Sequence, residues 1–297
     1  MAKPPSNINL RTIRSESNRI LSADFRHFNA LVFLFLSPIS STLIYCQIYP
    51  IKTLISNLLY TLTISVLSLF AAGSVTYSVF HRFHGRPVKL SSSVKAAFTS
   101  FFPLLSTWLV TQLIISGIGL VLGLAFFSLF KVTQLLGLQV DYPSSYFTLL
   151  CLVHVIILMF IVVYLQVNWI FAYLIVVVES SWGLEPLKRS QILVKGMKGV
   201  AFKIVLVLSI FCWLGAWSSM LRWVVFAGDT LKIWTFLIQI VTLPASSYYM
   251  LFSFYNLVVN SVFYMYSKAR HGELAQECVS LTTFDDGKVP DRVVSNV

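Results

Sequence analysis

The chain has 297 residues, of which 57% are hydrophobic and 11% charged, against roughly 45–50% and about 25% in soluble domains. So few charges cannot cover a water-soluble globule, and disorder requires low hydrophobicity, so composition leaves an integral membrane protein. The 22 Lys and Arg against 11 Asp and Glu, a formal charge of +11, then read as a topology signal and not as nucleic-acid binding.

Residues 1–29 form a basic amino-terminal segment. Between positions 9 and 28, Leu10, Ile13, Ile20, Leu21 and Phe25 are interleaved with Arg11, Arg14, Arg19 and Arg26. That pattern suits a helix lying in the headgroup region, apolar side down; an ordinary basic flank would look similar.

The region 30–267 holds six apolar cores, at about 30–50, 57–80, 104–130, 148–178, 203–226 and 233–266. Each reaches or approaches the ~20 residues needed to cross a bilayer core of about 30 Å. Backbone polar groups in lipid must bond internally, so each core is expected to be helix. The expected fold class is all-α, a polytopic bundle of six transmembrane helices with short cytoplasmic amphipathic elbow helices. The fourth core, as one rod of about 31 residues, would run roughly 46 Å. It and the sixth must therefore tilt or protrude. Protrusion would gather Glu179, Trp182, Lys188, Arg189 and the Asn260–Lys268 end into one surface. Residues 268–297 form a tail expected to be mobile.

Basic residues concentrate in the amino-terminal segment, in the second loop (Arg82, Arg86, Lys89, Lys95), in the fourth (Lys188, Arg189, Lys195, Lys198, Lys203) and in the tail. The other side has only Lys52, Lys131, Lys232 and the helix-end Arg222. This bias places both termini and the two longer loops in the cytoplasm. An endomembrane location, the endoplasmic reticulum or a related compartment, is expected over the plasma membrane.

The fourth loop runs from Glu179 to Gly196. Ser180, Ser181 and Gly183 are plausible caps, Pro186 fits only a first helical turn, and Gly196 can close a helix in a left-handed turn. Between them lies a short basic helix. Gly85 and Gly183, Lys89 and Lys188, and Lys95 and Lys195 are 98, 99 and 100 positions apart. These offsets fit a parallel repeat of two helix–elbow–helix units about a pseudo-twofold axis; chance likeness of two basic loops fits them too.

The run Glu179 to Gly183, Leu187-Lys188-Arg189-Ser190, Leu193 and Lys195-Gly196 resembles the signature loop of a plant six-helix membrane family. Some members of that family carry the label polyadenylate-binding-protein interactor. Asn260 to Lys268 fits the same pattern, while Pro186 stands where similar sequences have a small helix former. The likeness extends more distantly to the membrane domain attached to certain bacterial glycerophosphodiester phosphodiesterases, whose catalytic part is a separate soluble domain. The resemblance implies fold and topology and supplies no chemistry.

Two sets of residues are candidates for function. Glu179, Trp182, Lys188, Arg189, Ser190 and Lys195 could contact anionic lipid headgroups or a protein partner. Gln112, His154, Gln166, Asn168, Arg222 and Asn256 are polar groups inside apolar runs, where such groups are costly. They read as a polar substrate path or as interhelical hydrogen bonds. Cys151 and His154 share a face, but two ligands make no metal site, and four scattered cysteines form no zinc spacing. Gly119-x-x-x-Gly123 permits close helix packing, within one chain or between copies of a homo-oligomer. No nucleophile elbow, zinc-protease, P-loop or dinucleotide motif occurs. The sequence therefore points to a non-catalytic protein without cofactor or metal, an adaptor or membrane-organising factor. A transporter or channel for a neutral or lipid-like substrate is the alternative.

Overall fold

The computed structural model describes residues 9–48, 54–135, 145–210 and 232–272. In chain order the helices are α1 (Leu10–Ala23), α2 (Phe25–Leu31), a π turn (Val32–Leu36), α3 (Ser37–Ile48), α4 (Leu54–Phe83), α5 (Leu90–Thr99), α6 (Phe101–Leu135), α7 (Ser145–Asn168), α8 (Ala172–Glu179), α9 (Glu185–Val194), α10 (198–210) and α11 (Lys232–Arg270). Among the described residues there is no strand, as expected of backbone that must satisfy its own hydrogen bonds in lipid.

Three stretches are long and apolar enough to cross a membrane: Leu58–Phe83, Phe101–Thr133 and Phe147–Glu179. A fourth is the pair Leu10–Ala23 and Phe25–Thr42, bent by 93° at Asp24, if it counts as one span. These cover the expected cores at 57–80, 104–130 and 148–178 and overlap the first at 30–50. The sixth core falls within α11, and most of the fifth lies outside the described residues. Leu113 and Phe160 leave more than 70% of their surface open, as do many neighbours on α6 and α7 to a lesser degree. Apolar surface of that extent, on helices long enough to cross a bilayer, points to a membrane protein.

The core forms where α4, α8 and α11 meet. Val75 and Val79 of α4, Leu174 and Ile175 of α8, and Val258, Val262, Phe263 and Tyr264 of α11 are buried together. From Val258 to Lys268 every side chain of α11 except Asn260 is buried. That stretch is a helix enclosed on all sides by protein, hence apolar nearly all round. The outer helices sit in the clefts between inner ones. α3 touches α11 and α4, and α6 touches α4, α7 and α8.

The fourth span is not the continuous rod its composition implies. α7 ends at Asn168, a turn occupies Trp169 to Phe171, and α8 resumes at Ala172. The short helices lie across the ends of inner helices. α5 packs on α4, α9 on α7 and α8, and α1 on α11. α1 does so through Ile13, Ser17 and Ile20, one stripe at helical spacing. Leu10 and Phe25, read from sequence as part of the same apolar side, are exposed instead. α5 lies close to α4 because Gly73 has no side chain: a Cβ there would stand 3.2 Å from Ala97 Cα.

Candidate functional site

The site lies where α8, α9 and α11 converge. α8 carries its apolar run to Glu179, and the chain reverses through Ser180 in the left-handed region (φ 54) and Gly183 (φ 76). The Gly183 N–H donates to Thr107 Oγ1 at 3.2 Å, tying the turn to α6. The expected serine caps do not form. The residue before α9 is Leu184, no side chain caps the helix, and Pro186 fills its first turn, where a missing N–H costs nothing. At the far end Gly196, at φ 90, makes the expected left-handed turn.

α9 divides sharply between two faces. Pro186, Leu187, Ser190, Leu193 and Val194 are buried, while Lys188, Gln191, Ile192 and Lys195 are exposed. Ser190 reaches the interruption of the fourth span. Its hydroxyl donates to the Asn168 carbonyl at 2.8 Å and accepts from the Phe171 N–H at 3.2 Å. One side chain thereby satisfies a carbonyl and an amide at the break, which would be expensive to leave unpaired. Ser267 of α11 donates to the Leu193 carbonyl at 2.6 Å, near the carboxyl end of α9.

Beneath α9 lies a cluster centred on Glu179. Its Oε1 accepts from the Tyr264 hydroxyl at 2.8 Å and faces Lys268 Nζ at 3.2 Å, and its Oε2 faces Arg189 Nε at 3.4 Å. Lys268 is only 7% exposed, and its ammonium also lies 5.5 Å from the Tyr264 ring centroid. Two cations and a phenol on one carboxylate join the three helices. Glu179 is thus engaged at both oxygens, and Arg189, half-buried, is committed to it.

The structure therefore brings Glu179, Arg189 and Ser190 together where α8, α9 and α11 meet, Ser190 wholly buried and the other two partly exposed, and leaves Lys188, Lys195 and Trp182 outside. The gathering of Glu179 and Arg189 with the Asn260–Lys268 end takes the form of an ion cluster, closed over Lys268 and partly open at Glu179 and Arg189. Gln112 and Gln166 lie on exposed helix surface, and His154 is half-buried with its ring 4.9 Å from that of Phe126. Asn168 is buried and donates to its own helix at Tyr164 O, 2.8 Å away. Asn256 is half-buried. Arg222 lies outside the described residues. No hydrogen bond joins any two of the described five. Among the described residues, no group of three or more His, Cys, Asp and Glu side chains is placed to hold a metal.

A second polar cluster was not read from sequence. His27 Nε2 of α2 lies 3.2 Å from Ser78 Oγ of α4 and 3.4 Å from Ser93 Oγ of α5, and the two hydroxyls are 2.8 Å apart. Both serines are wholly buried, so the trio fastens three helices. Its members come from three separate elements, and no spacing rule connects them.

Over residues 13–280 the chain matches the family described as Domain of unknown function (DUF8558), and it belongs to that family. No curated protein and no solved structure matches it.

Proposed function

We propose that this member of a family of unknown function is a non-catalytic, multi-pass integral membrane protein. It acts as an adaptor or membrane-organising factor whose connecting helices serve as cytoplasmic elbows on anionic lipid headgroups or protein partners. The observation that carries this is the division of α9. Its inner face is fixed to the bundle by Ser190 and by the Glu179 cluster, so Lys188 and Lys195 are held outward on a rigid support. A cation at an anionic surface contributes about 1 kcal/mol, and rigid mounting avoids the entropy of ordering the segment first.

The basic bias between loops supports placing this end and both termini in the cytoplasm, with six spans in an endomembrane bilayer. The likeness to the plant six-helix family, and the more distant one to the phosphodiesterase membrane domain, support the same reading. In the bacterial case catalysis belongs to a separate soluble part. Transport of a neutral or lipid-like substrate is the second reading; the exposed placement of Gln112 and Gln166 does not favour it.

The test is affinity purification in mild detergent of the wild type and a Lys188/Lys195/Lys198→Glu variant at equal expression, with retained proteins and lipids identified by mass spectrometry. Arg189 stays unchanged because it anchors Glu179. Loss of a partner or of anionic lipid in the variant is expected. Identical partners and lipids in both would overturn the reading, and the same small molecule held by both would give transport the lead.

A further inference from the structure

The three short helices occupy equivalent places. Each of α1, α5 and α9 is followed by another helix, and each lies on the end of the inner helix that comes before it around the bundle. α5 lies on α4, α9 on α7 and α8, and α1 on α11. The last pairing brings the two ends of the described chain together and closes the circuit. Each inner helix is followed by a glycine in the left-handed region: Gly85 at φ 77, Gly183 at φ 76 and Gly272 at φ 78. Each short helix buries one serine completely, Ser17, Ser93 and Ser190. Ser93 and Ser190 bond across to the inner helix beneath, at Ser78 Oγ and at Asn168 O, and Ser17 bonds to its own Ile13 carbonyl. The pattern is three occurrences of a short helix docked on the end of an inner helix, where the offsets between the two loops fit two.

All three short helices stand at one end of the bundle. Asp24, where α1 turns into α2, pairs with Arg82 at the end of α4 at 3.2 Å. Glu179 at the end of α8 pairs with Lys268 near the end of α11. Around this end Arg11, Arg14, Lys89, Lys95, Lys188 and Lys195 are exposed. Of the nearby carboxylates, Glu16 pairs with Arg19, Asp24 with Arg82, and Glu179 with Arg189 and Lys268, while Glu185 in the first turn of α9 is exposed beside the six cations. Beside each basic set stands an aromatic side chain open to the outside. These are Phe25, Phe98 and Trp182, at 68%, 61% and 68% exposure.

We infer that α1, α5 and α9 form one collar that grips the anionic headgroups of the bilayer in which the protein sits. The inference rests on the elbow reading above and extends it from one helix to three. Charge complementarity selects an anionic surface, and the aromatic rings select a lipid one, since Trp and other rings settle at the headgroup level with cations reaching for phosphate. Phe25 and Phe98 each lie within a few residues of an outer helix start, at the depth where apolar span gives way to polar surface.

The experiment uses the full chain reconstituted in vesicles of phosphatidylcholine and phosphatidylserine, then extracted in mild detergent. The ratio of phosphatidylserine to phosphatidylcholine retained by the protein is read by mass spectrometry. Three variants alter exposed side chains only: Arg11→Gln/Arg14→Gln, Lys89→Gln/Lys95→Gln, and Lys188→Gln/Lys195→Gln. Each is expected to lose about a third of the phosphatidylserine enrichment, and their combination nearly all of it. Raised salt should weaken the wild-type enrichment in the same direction. Melting curves, with Arg11→Lys/Arg14→Lys as a charge-preserving control, separate lost charge from lost folding. Wild-type enrichment in the first two variants would overturn the collar. If the third variant alone then loses lipid, the elbow reading survives without the collar. If none of the three does, neither reading stands on lipid.

Discussion

Glu179 is the residue on which the end of the bundle depends, because three donors from two other helices converge on it. Glu179→Gln keeps the shape but removes the charge that faces Lys268, whose ammonium stays nearly enclosed. Removing one partner of such a pair is more costly than removing both, since the survivor keeps the burial of its charge and loses the carboxylate that faced it. The single variant is expected to lose about 3 kcal/mol. A Glu179→Gln/Lys268→Met chain should recover much of that loss. Melting in detergent across the double-mutant cycle reads the coupling, and additive losses would show that the two side chains act independently. Arg189 moderates the expectation: it is a third exposed, so its share of the attraction is screened by solvent.

At the scale of helices, the sequence is informative wherever a boundary is chemical and silent wherever it is made by a distant partner. The spans at 57–80 and 104–130 are legible because charges bracket them, and they appear within a few residues as Leu58–Phe83 and Phe101–Thr133. The interruption at Trp169 to Phe171 is not legible, because neither Gly nor Pro marks it and no charge stands near it; Gln166 and Asn168 just before it read equally well as polar groups within a continuous helix. It is stabilised by Ser190, a residue of the next helix, whose burial among Leu187, Leu193 and Val194 does follow from spacing. The Glu179–Tyr264 contact spans 85 positions, and only the excess length of the helices hints at it. One packing signal was present and unread. Ala71-Ala72-Gly73-Ser74 is a run of small side chains in α4, the kind that lets another helix approach closely. Gly73→Leu would drive a side chain against the Ala97 backbone, which cannot swing aside as a flexible side chain would. The expected cost is about 1–3 kcal/mol, seen as a lower melting temperature and faster amide exchange through α5. Unchanged exchange in α5 would mean that the α4–α5 contact is looser than its geometry.

The closed circuit is a property of the whole molecule. The regular spacing of two loops points to a twofold arrangement, and α1 looks like an ordinary basic flank, because nothing local tells a flank from a docked helix. What distinguishes it is a stripe of three residues, Ile13, Ser17 and Ile20, that finds its partner at the opposite end of the sequence, on α11. A contact so distant along the chain adds nothing to local structure and everything to closure. It should therefore form late in folding, after the loops between are ordered. Ile13→Ala and Ile20→Ala each remove a buried side chain, at an expected cost of about 2–5 kcal/mol. If α1 closes the ring, the loss will be felt at its seat. Amide exchange should rise along Val258–Lys268 of α11, while Leu90–Thr99 and Glu185–Val194, held by their own serines, stay protected. If exchange rises only within residues 10–23, α1 rests on a bundle that is complete without it. In that case the circuit of three docked helices describes the packing but does not hold it together.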